Sequence, residues 1–312
     1  MKDQILADVA RRMLVDRVTI EVVGALREAG LEPVLLKGPV IARWLYDGPG
    51  ERTYDDVDLL LGPRDFEAGT QVLARLGFVR GDEPAREVPL PAGQQAHAET
   101  WGRGGDAVAV DLHRCLHHTE HLPPAQVWDE VWGDHTLLDV YGTAVSVPAV
   151  RVRTLHLVLH LQPKDVPGTR AWTDLERAID RVGRDDWAAA AELADRFGVR
   201  DDMGALLALV PGGAELAGRL DLSTTPSDAL LQEHRRHAPA IAHVARNMRR
   251  RTPGEAVRVV GAKLSPSRIR QVAPDGDGRP SLVRAYAHQA ARLPAAVRDW
   301  VRYRRAGGRS LR

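Results

Sequence analysis

Two carboxylates stand inside an otherwise apolar strand. The segment Asp56-Val57-Asp58-Leu59-Leu60-Leu61 lies between Arg52-Thr53-Tyr54-Asp55 and the breaker Gly62-Pro63. In a strand, residues i and i+2 point to the same face, so Asp56 and Asp58 project together. Aspartate is disfavoured in strands. Two like charges that close repel, and each resists desolvation. A divalent cation removes both objections. Hard oxygen donors on one rigid edge suit Mg²⁺, which keeps several waters and takes other ligands from substrate phosphates. A third carboxylate on a neighbouring strand would complete a two-metal clamp for in-line displacement at phosphorus. Asp111, in Ala107-Val108-Ala109-Val110-Asp111-Leu112-His113, is the candidate, with His113 two residues on along the same face. The plainer alternative is that Asp55 and Asp56 begin a strand near the surface and Asp58 is a solvated edge residue. The three leucines after Asp58 count against it.

The surrounding pattern gives an α/β (α+β) domain. Apolar residues at helical spacing predict a helix from Asp3 to Ala29, stopped by Gly30. Pro33–Lys37 reads as a short buried strand, and Gly38-Pro39 turns the chain into a short helix, Val40–Tyr46. Asp56–Leu61 is the second strand, Arg64–Leu76 an amphipathic helix, and Gly81–Gly93 a loop. Ala107–His113 is the third strand, and Leu137–Val147 a hairpin about Tyr141-Gly142. Beyond Pro148 the spacing is helical over Val150–Leu161, Trp172–Val182, Trp187–Phe197 and Met203–Leu209. Soft boundaries near 148 and 233 divide the chain into an α/β core (1–148), a helical domain (149–233) and a basic helical region (234–312).

The net charge of +1 over 312 residues hides an asymmetry. From His234 to Arg312 there are 18 arginines and Lys263 against Glu255, Asp275, Asp277 and Asp299, a net +15 that leaves −14 on the rest. The basic region reads as a solvated face. A nucleic-acid surface or an anionic-membrane contact through Leu282, Tyr286, Leu293, Trp300 and Val301 stays open beside it. A single cysteine, Cys115, excludes an intrachain disulfide and an all-cysteine metal site. It fits a cytoplasmic protein, one that on the membrane reading would be peripheral. No run reaches the ~20 apolar residues of a spanning helix, and Met1-Lys2-Asp3-Gln4 opens an amphipathic pattern, unlike a secretion signal.

The string Leu35-Leu36-Lys37-Gly38, a short helix ending in Leu45-Tyr46, a Pro-Gly loop, Arg52, then Asp56-Val57-Asp58-Leu59-Leu60-Leu61 resembles a largely uncharacterised nucleotidyltransferase family of the DNA polymerase β-like superfamily. Asp111 and His113, then Leu159-His160, then Asp174 in Trp172-Thr173-Asp174-Leu175 match later, weaker features. The resemblance covers roughly residues 1 to 200. It implies a small mixed sheet flanked by helices, then a helical domain closing the cleft. It implies transfer of a nucleoside monophosphate from an NTP to an acceptor, with release of pyrophosphate. Asp56, Asp58 and Asp111 would hold Mg²⁺, two ions in all, and Asp111 would help deprotonate the acceptor. Lys37, Gly38, Arg52 and His113 would meet the nucleotide. For Lys37 the competing reading is a strand-end lysine in solvent, and for Arg52 a surface loop arginine.

One departure matters. The superfamily usually has Gly-Ser after its first strand, and here Pro39 follows Gly38 with neither hydroxyl nor N–H. The rival to an enzyme is therefore a catalytically silent protein that binds a nucleotide or partner through the same cleft. The acceptor stays open among a small molecule, a peptide, a protein and, less favoured, RNA. His113, His117 and His121 recur every four residues, and Pro123-Pro124 argues against extending them into a zinc-binding helix. His156 reads as a partly buried histidine bonded to backbone, His160 as a cleft residue with Lys164 one turn on only if the helix passes Pro163, and Asp174 as a packing partner or, less favoured, a cleft acid.

Overall fold

A computed structural model of the chain describes residues 2–48, 50–81, 96–105, 108–161, 165, 167–226 and 230. The basic region from 234 onward, most of the Gly81–Gly93 loop, and Lys164 lie outside the described residues. The chain divides into two units, and the one considered below comprises Met1–Leu161 and Gly168–Ser227.

Its α/β part runs α1 (Lys2–Glu28), β1 (Val34–Leu35), α2 (Pro39–Leu45), β2 (Asp56–Leu60), α3 (Phe66–Arg75), β3 (Val79–Arg80), β4 (Ala98–Gly102), β5 (Ala109–His113), α4 (Pro124–Trp132), β6 (Thr136–Val140) and β7 (Thr143–Val147). Five helices follow: α5 (Val150–His160), α6 (Arg170–Arg181), α7 (Arg184–Arg196), α8 (Arg200–Leu207) and α9 (Gly213–Arg219). The seven strands form one mixed sheet in the order β3-β4-β5-β2-β1-β7-β6. The pairs β2·β5 and β1·β7 are parallel, and the other neighbours are antiparallel.

Local chemistry sets the ends of these elements. Gly30 (φ 78°) closes α1, and Gly77 (φ 84°) follows α3, both in the left-handed region that glycine tolerates. Tyr141 (φ 49°) and Gly142 (φ 83°) place both central hairpin residues at positive φ, as a type I′ turn requires. The first strand is shorter than its apolar run predicts. Its pairing nevertheless reaches one residue further, because the Leu36 N–H donates to the Asp58 carbonyl at 2.9 Å.

The parity of β2 and β5 divides the sheet's faces. Val57, Leu59, Val110 and Leu112 join Val15, Val18, Val22 and Leu26 of α1 and Val72 and Leu73 of α3 in one buried cluster. Each fully buried Val or Leu contributes roughly 1.5–3 kcal/mol by leaving water. That packing fixes the register, since a one-residue slip would turn every side chain over. The opposite face of the same strands then carries Asp56, Asp58, Leu60, Ala109, Asp111 and His113.

Four elements lack a counterpart in the sequence reading: β3, β4, α4 and α9. In β4 the buried face holds Glu99 beside Trp101, and an acid pointing inward hides the alternation. Glu99 is compensated by Arg114, whose Nη2 lies 2.6 Å away. Pro123-Pro124 does not end a helix. Pro124 begins α4, at the first-turn position where a missing N–H costs nothing.

Candidate active site

The polar face of β2 and β5 is assembled by register. Asp58 lies directly opposite Asp111, Asp56 opposite Ala109, and Leu60 opposite His113. Asp58, Asp111 and His113 offer ligand atoms that all lie within 4.8 Å of one another, the one such group among the described residues. Asp56 stands outside that group. It sits two residues earlier on the same face, half-buried, close enough for both other carboxylates to act on it.

Asp58 is 1% exposed, and its Oδ1 is held from two sides. The Lys37 ammonium lies 2.8 Å from it, and His113 Nε2 lies 3.0 Å away. Burial alone would raise the Asp58 pKa, but Lys37 and the His113 hydrogen bond together outweigh it and hold the group far below the usual carboxylate range. Burial pushes His113 down, only partly opposed by Asp58, so the imidazole is neutral and donates from Nε2. Its Nδ1 is buried without a hydrogen-bond partner, as is Asp111 Oδ1. Asp56 fares differently. Burial first, then Asp58 and Asp111, push it up to about 6 against the opposing pull of Lys37.

An orphaned buried carboxylate oxygen at Asp111 has a desolvation cost with nothing to offset it. A divalent cation would offset it, and two carboxylates with an imidazole in 4.8 Å form a chemically suitable donor set. The residues present therefore fit the metal implied by the sequence pattern.

Lys37 and Gly38 lie immediately after β1. Gly38 has φ 59°, and a Cβ there would stand 3.6 Å from the Asp56 carbonyl oxygen, so the backbone passes close beside β2. Arg52 is not free to meet a ligand. It is 6% exposed, and its Nε and Nη2 each donate to Asp174 of α6 at 2.8 Å. Its Nη1 donates to the Gly38 carbonyl at 3.2 Å. Tyr46 also donates to Asp174, at 2.7 Å. Arg52, expected to meet phosphate, is a buried fork that ties the Lys37-Gly38 turn to α6, and Asp174, read as a packing partner or a cleft acid, is the acceptor of that fork. The arginine at the site's rim is Arg170, which begins α6 and pairs with Asp55 at 2.7 Å.

His113, His117, His156 and His160, named from the sequence, join His97 and His118 in one layer. His97 packs against His113 with ring centroids 5.6 Å apart and stacks on His117 at 4.8 Å, and His117 stacks on His118 at 4.5 Å. His156 and His160 of α5 lie edge to face at 6.0 Å. Burial first, then Lys37, keeps both well below the usual histidine range. His121 bonds to the Phe197 carbonyl at 3.0 Å, so the four-residue histidine spacing does not converge on one point. No single periodicity signals the whole layer, because its members come from β5, from loops and from a helix distant in sequence.

The mixed sheet, the paired carboxylates on adjacent parallel strands and the following helices define a nucleotidyltransferase-like protein. The sequence matches the profile of the uncharacterised nucleotidyltransferases over residues 1–211. The chain belongs to that family. No curated protein matches it in sequence. Among solved structures it is similar to the antibiotic-resistance factor ANT(2″)-Ia in solution (15% identity, 61% of this chain and 95% of that one, TM-score 0.42). It is also similar to crystalline ANT(2″)-Ia in complex with adenylyl-2″-tobramycin (15% identity, 58% and 98%, TM-score 0.42). A third is an antigenic nucleotidyltransferase-like protein from Paracoccidioides brasiliensis (15% identity, 72% and 97%, TM-score 0.35).

Proposed function

We propose that this chain transfers a nucleoside monophosphate from an NTP to an acceptor hydroxyl or phosphate, with release of pyrophosphate, in an Mg²⁺-dependent reaction. The observation that carries this reading is the in-register pair Asp58–Asp111 on parallel strands, with Asp56 above it and a buried Asp111 oxygen lacking a partner. Asp56, Asp58 and Asp111 would hold the metal, two ions being the expected number. When bound, Mg²⁺ neutralises phosphate oxygens and the developing charge of the leaving group.

The chain's own groups do the rest. His113 donates to Asp58 and fixes its carboxylate. Asp111 accepts the acceptor's proton. Lys37 contacts phosphate in place of the absent Ser hydroxyl, and Gly38 lets the backbone approach. Arg52 positions the Lys37-Gly38 turn through Gly38 and Asp174. The acceptor is a small molecule, peptide or protein in preference to RNA. A cytoplasmic setting and a nucleic-acid or membrane contact through residues 234–312 belong to the same proposal.

A catalytically silent nucleotide-binding protein is the second reading. Pro39 favours it, because the first position of α2 offers no N–H to a phosphate. One experiment separates the two. Thermal unfolding is followed with ATP, GTP, CTP and UTP, with and without Mg²⁺, on the wild type and Asp58→Ala, while pyrophosphate is assayed. A ligand at 100 times its Kd stabilises by about 2.7 kcal/mol. A metal-dependent rise with one triphosphate, lost in Asp58→Ala and accompanied by slow pyrophosphate release, supports the transferase. A rise with no pyrophosphate under any acceptor mixture supports the silent protein, and no rise with any triphosphate counts against both.

A further inference from the structure

Asp58 raises a question that the transferase reading leaves open. The carboxylate expected to hold a divalent cation already has a cation on it. Lys37 Nζ lies 2.8 Å from Asp58 Oδ1, and Asp58 is 1% exposed. A carboxylate so buried needs a counter-charge whenever no metal is bound, because an uncompensated charge in the interior is strongly destabilising. Lys37 supplies it. One ammonium does not balance three carboxylates, however. Asp56 stays electrostatically strained by its neighbours, and Asp111 Oδ1 stays without a partner. The face retains a demand for positive charge that a divalent cation meets.

Two cations cannot both sit against one carboxylate oxygen without repelling each other. We propose that Lys37 is a place-holding cation: it neutralises Asp58 until a divalent metal takes that oxygen, and the released ammonium then contacts the phosphates of the nucleotide.

Metal and nucleotide binding are then positively coupled through one side chain. The movement needs no change of fold. The backbone at Gly38 is pinned by Arg52 Nη1 on its carbonyl, and Arg52 is pinned by Asp174. The Lys37 side chain is 13% exposed, so its head has a route outward on a flexible four-carbon stem. An arginine could not do this as easily, since its planar fork would hold Asp58 through two bonds. His113 remains on Asp58 from the other side and keeps the carboxylate oriented during the exchange. The phosphate half of the proposal rests on the transferase reading, and the metal half does not.

The chain has only four lysines, Lys2, Lys37, Lys164 and Lys263, so amine reactivity can be followed at each by mass spectrometry. The unaltered protein is pulse-labelled with an amine-acylating ester in chelator, with Mn²⁺, and with Mn²⁺ plus each of the four nucleoside triphosphates. Mn²⁺ binding is followed in parallel by calorimetry. Lys37 labelling should rise several-fold with Mn²⁺ while the other three lysines stay constant, and should fall again with one triphosphate. In a second arm, Lys37→Met should bind Mn²⁺ alone roughly tenfold more tightly than the wild type, within the usual range of coupling between sites. It should bind the triphosphate more weakly. Unchanged Lys37 labelling with Mn²⁺ bound overturns the proposal, and so does the absence of Mn²⁺ binding at millimolar concentration. Labelling that rises with Mn²⁺ but ignores every triphosphate upholds the exchange at Asp58 and overturns the phosphate role of Lys37, while the transferase reading itself falls only if no triphosphate shifts thermal unfolding, which keeps the two failures apart.

Discussion

Asp56 and Asp58 are two residues apart on one strand face, yet neutralising them should change stability in opposite directions. The Asp56 carboxyl is pushed from its ordinary 3.8 up to about 6, by burial first and then by Asp58 and Asp111. A group whose folded-state pKa is raised contributes stability that is fully present below the unfolded value and lost as pH rises through the folded one. Above pH 6, ionised Asp56 therefore costs the metal-free fold about 3 kcal/mol, at roughly 1.36 kcal/mol per pH unit. Asp56→Asn removes that charge at nearly constant shape and should stabilise the metal-free protein at pH 8 by about 1–3 kcal/mol. Asp58→Asn takes away the anion that Lys37 and His113 hold. The Lys37 ammonium can turn outward on its flexible stem, so the loss is that of its charge-assisted bonds, about 1.5–3 kcal/mol. The assay is guanidinium unfolding in chelator, read by tryptophan fluorescence, at pH 8 and at pH 5. The Asp56→Asn gain should shrink at pH 5, where the wild-type carboxyl is mostly protonated. Two outcomes would refute the reasoning: destabilisation by Asp56→Asn at pH 8, or a gain of equal size at both pH values.

The fork between Arg52 and Asp174 should behave as a buried pair. Arg52→Ala should cost about 3–5 kcal/mol in thermal or denaturant unfolding, and Arg52→Lys should not rescue it, because the bidentate geometry is lost. A small effect of Arg52→Ala would mean that the turn is held by other contacts. The histidine layer should make the fold acid-labile. His117, His156 and His160 are held well below their ordinary 6.5, by burial first. A depressed pKa gives stability that is present above 6.5 and lost as pH falls below it. Each such histidine steepens the decline by up to about 1.4 kcal/mol per pH unit. His156→Gln should flatten that slope by one proton's worth, and a melting temperature flat from pH 7.5 to 5.5 would show the histidines to be accessible to protons.

The carboxylate geometry was legible because strands have an exact period of two. Asp56 and Asp58 had to share a face, and the leucines around them said that the other face was buried. The sequence could not tell that Asp58, Asp111 and His113 would form the tight group while Asp56 stood apart, because that depends on the offset between β2 and β5. The role of Arg52 was also hidden. An arginine in a loop carries the same local signal whether it meets phosphate or a buried acid, and its partner Asp174 is 122 residues away. The strand β4 was missed for a related reason. Its inward acid, Glu99, is stabilised by Arg114 and Arg80, and neither is adjacent to it in sequence.

The energetics of Asp56 also bear on whether the site takes a metal. A fold that only needs to persist gains nothing from a half-buried carboxylate driven up to about 6 by two like-charged neighbours. Substitutions that relieve such strain are easy to find in most proteins, and their recurrent cost is lost function. Asp111 points the same way, with a buried oxygen that no protein group satisfies. Both features are unfavourable without a metal, and a bound divalent cation would make them favourable. The absence of a serine after Gly38 removes one phosphate contact, but it does not remove this demand for metal. The divalent cation should therefore reverse the ranking measured in chelator. With saturating Mn²⁺ the wild type should become more stable than Asp56→Asn, since only the wild type offers the charge that the cation repays. If Asp56→Asn stays the more stable of the two with Mn²⁺ bound, Asp56 is not a ligand, and the metal-holding role falls to Asp58, Asp111 and His113 alone.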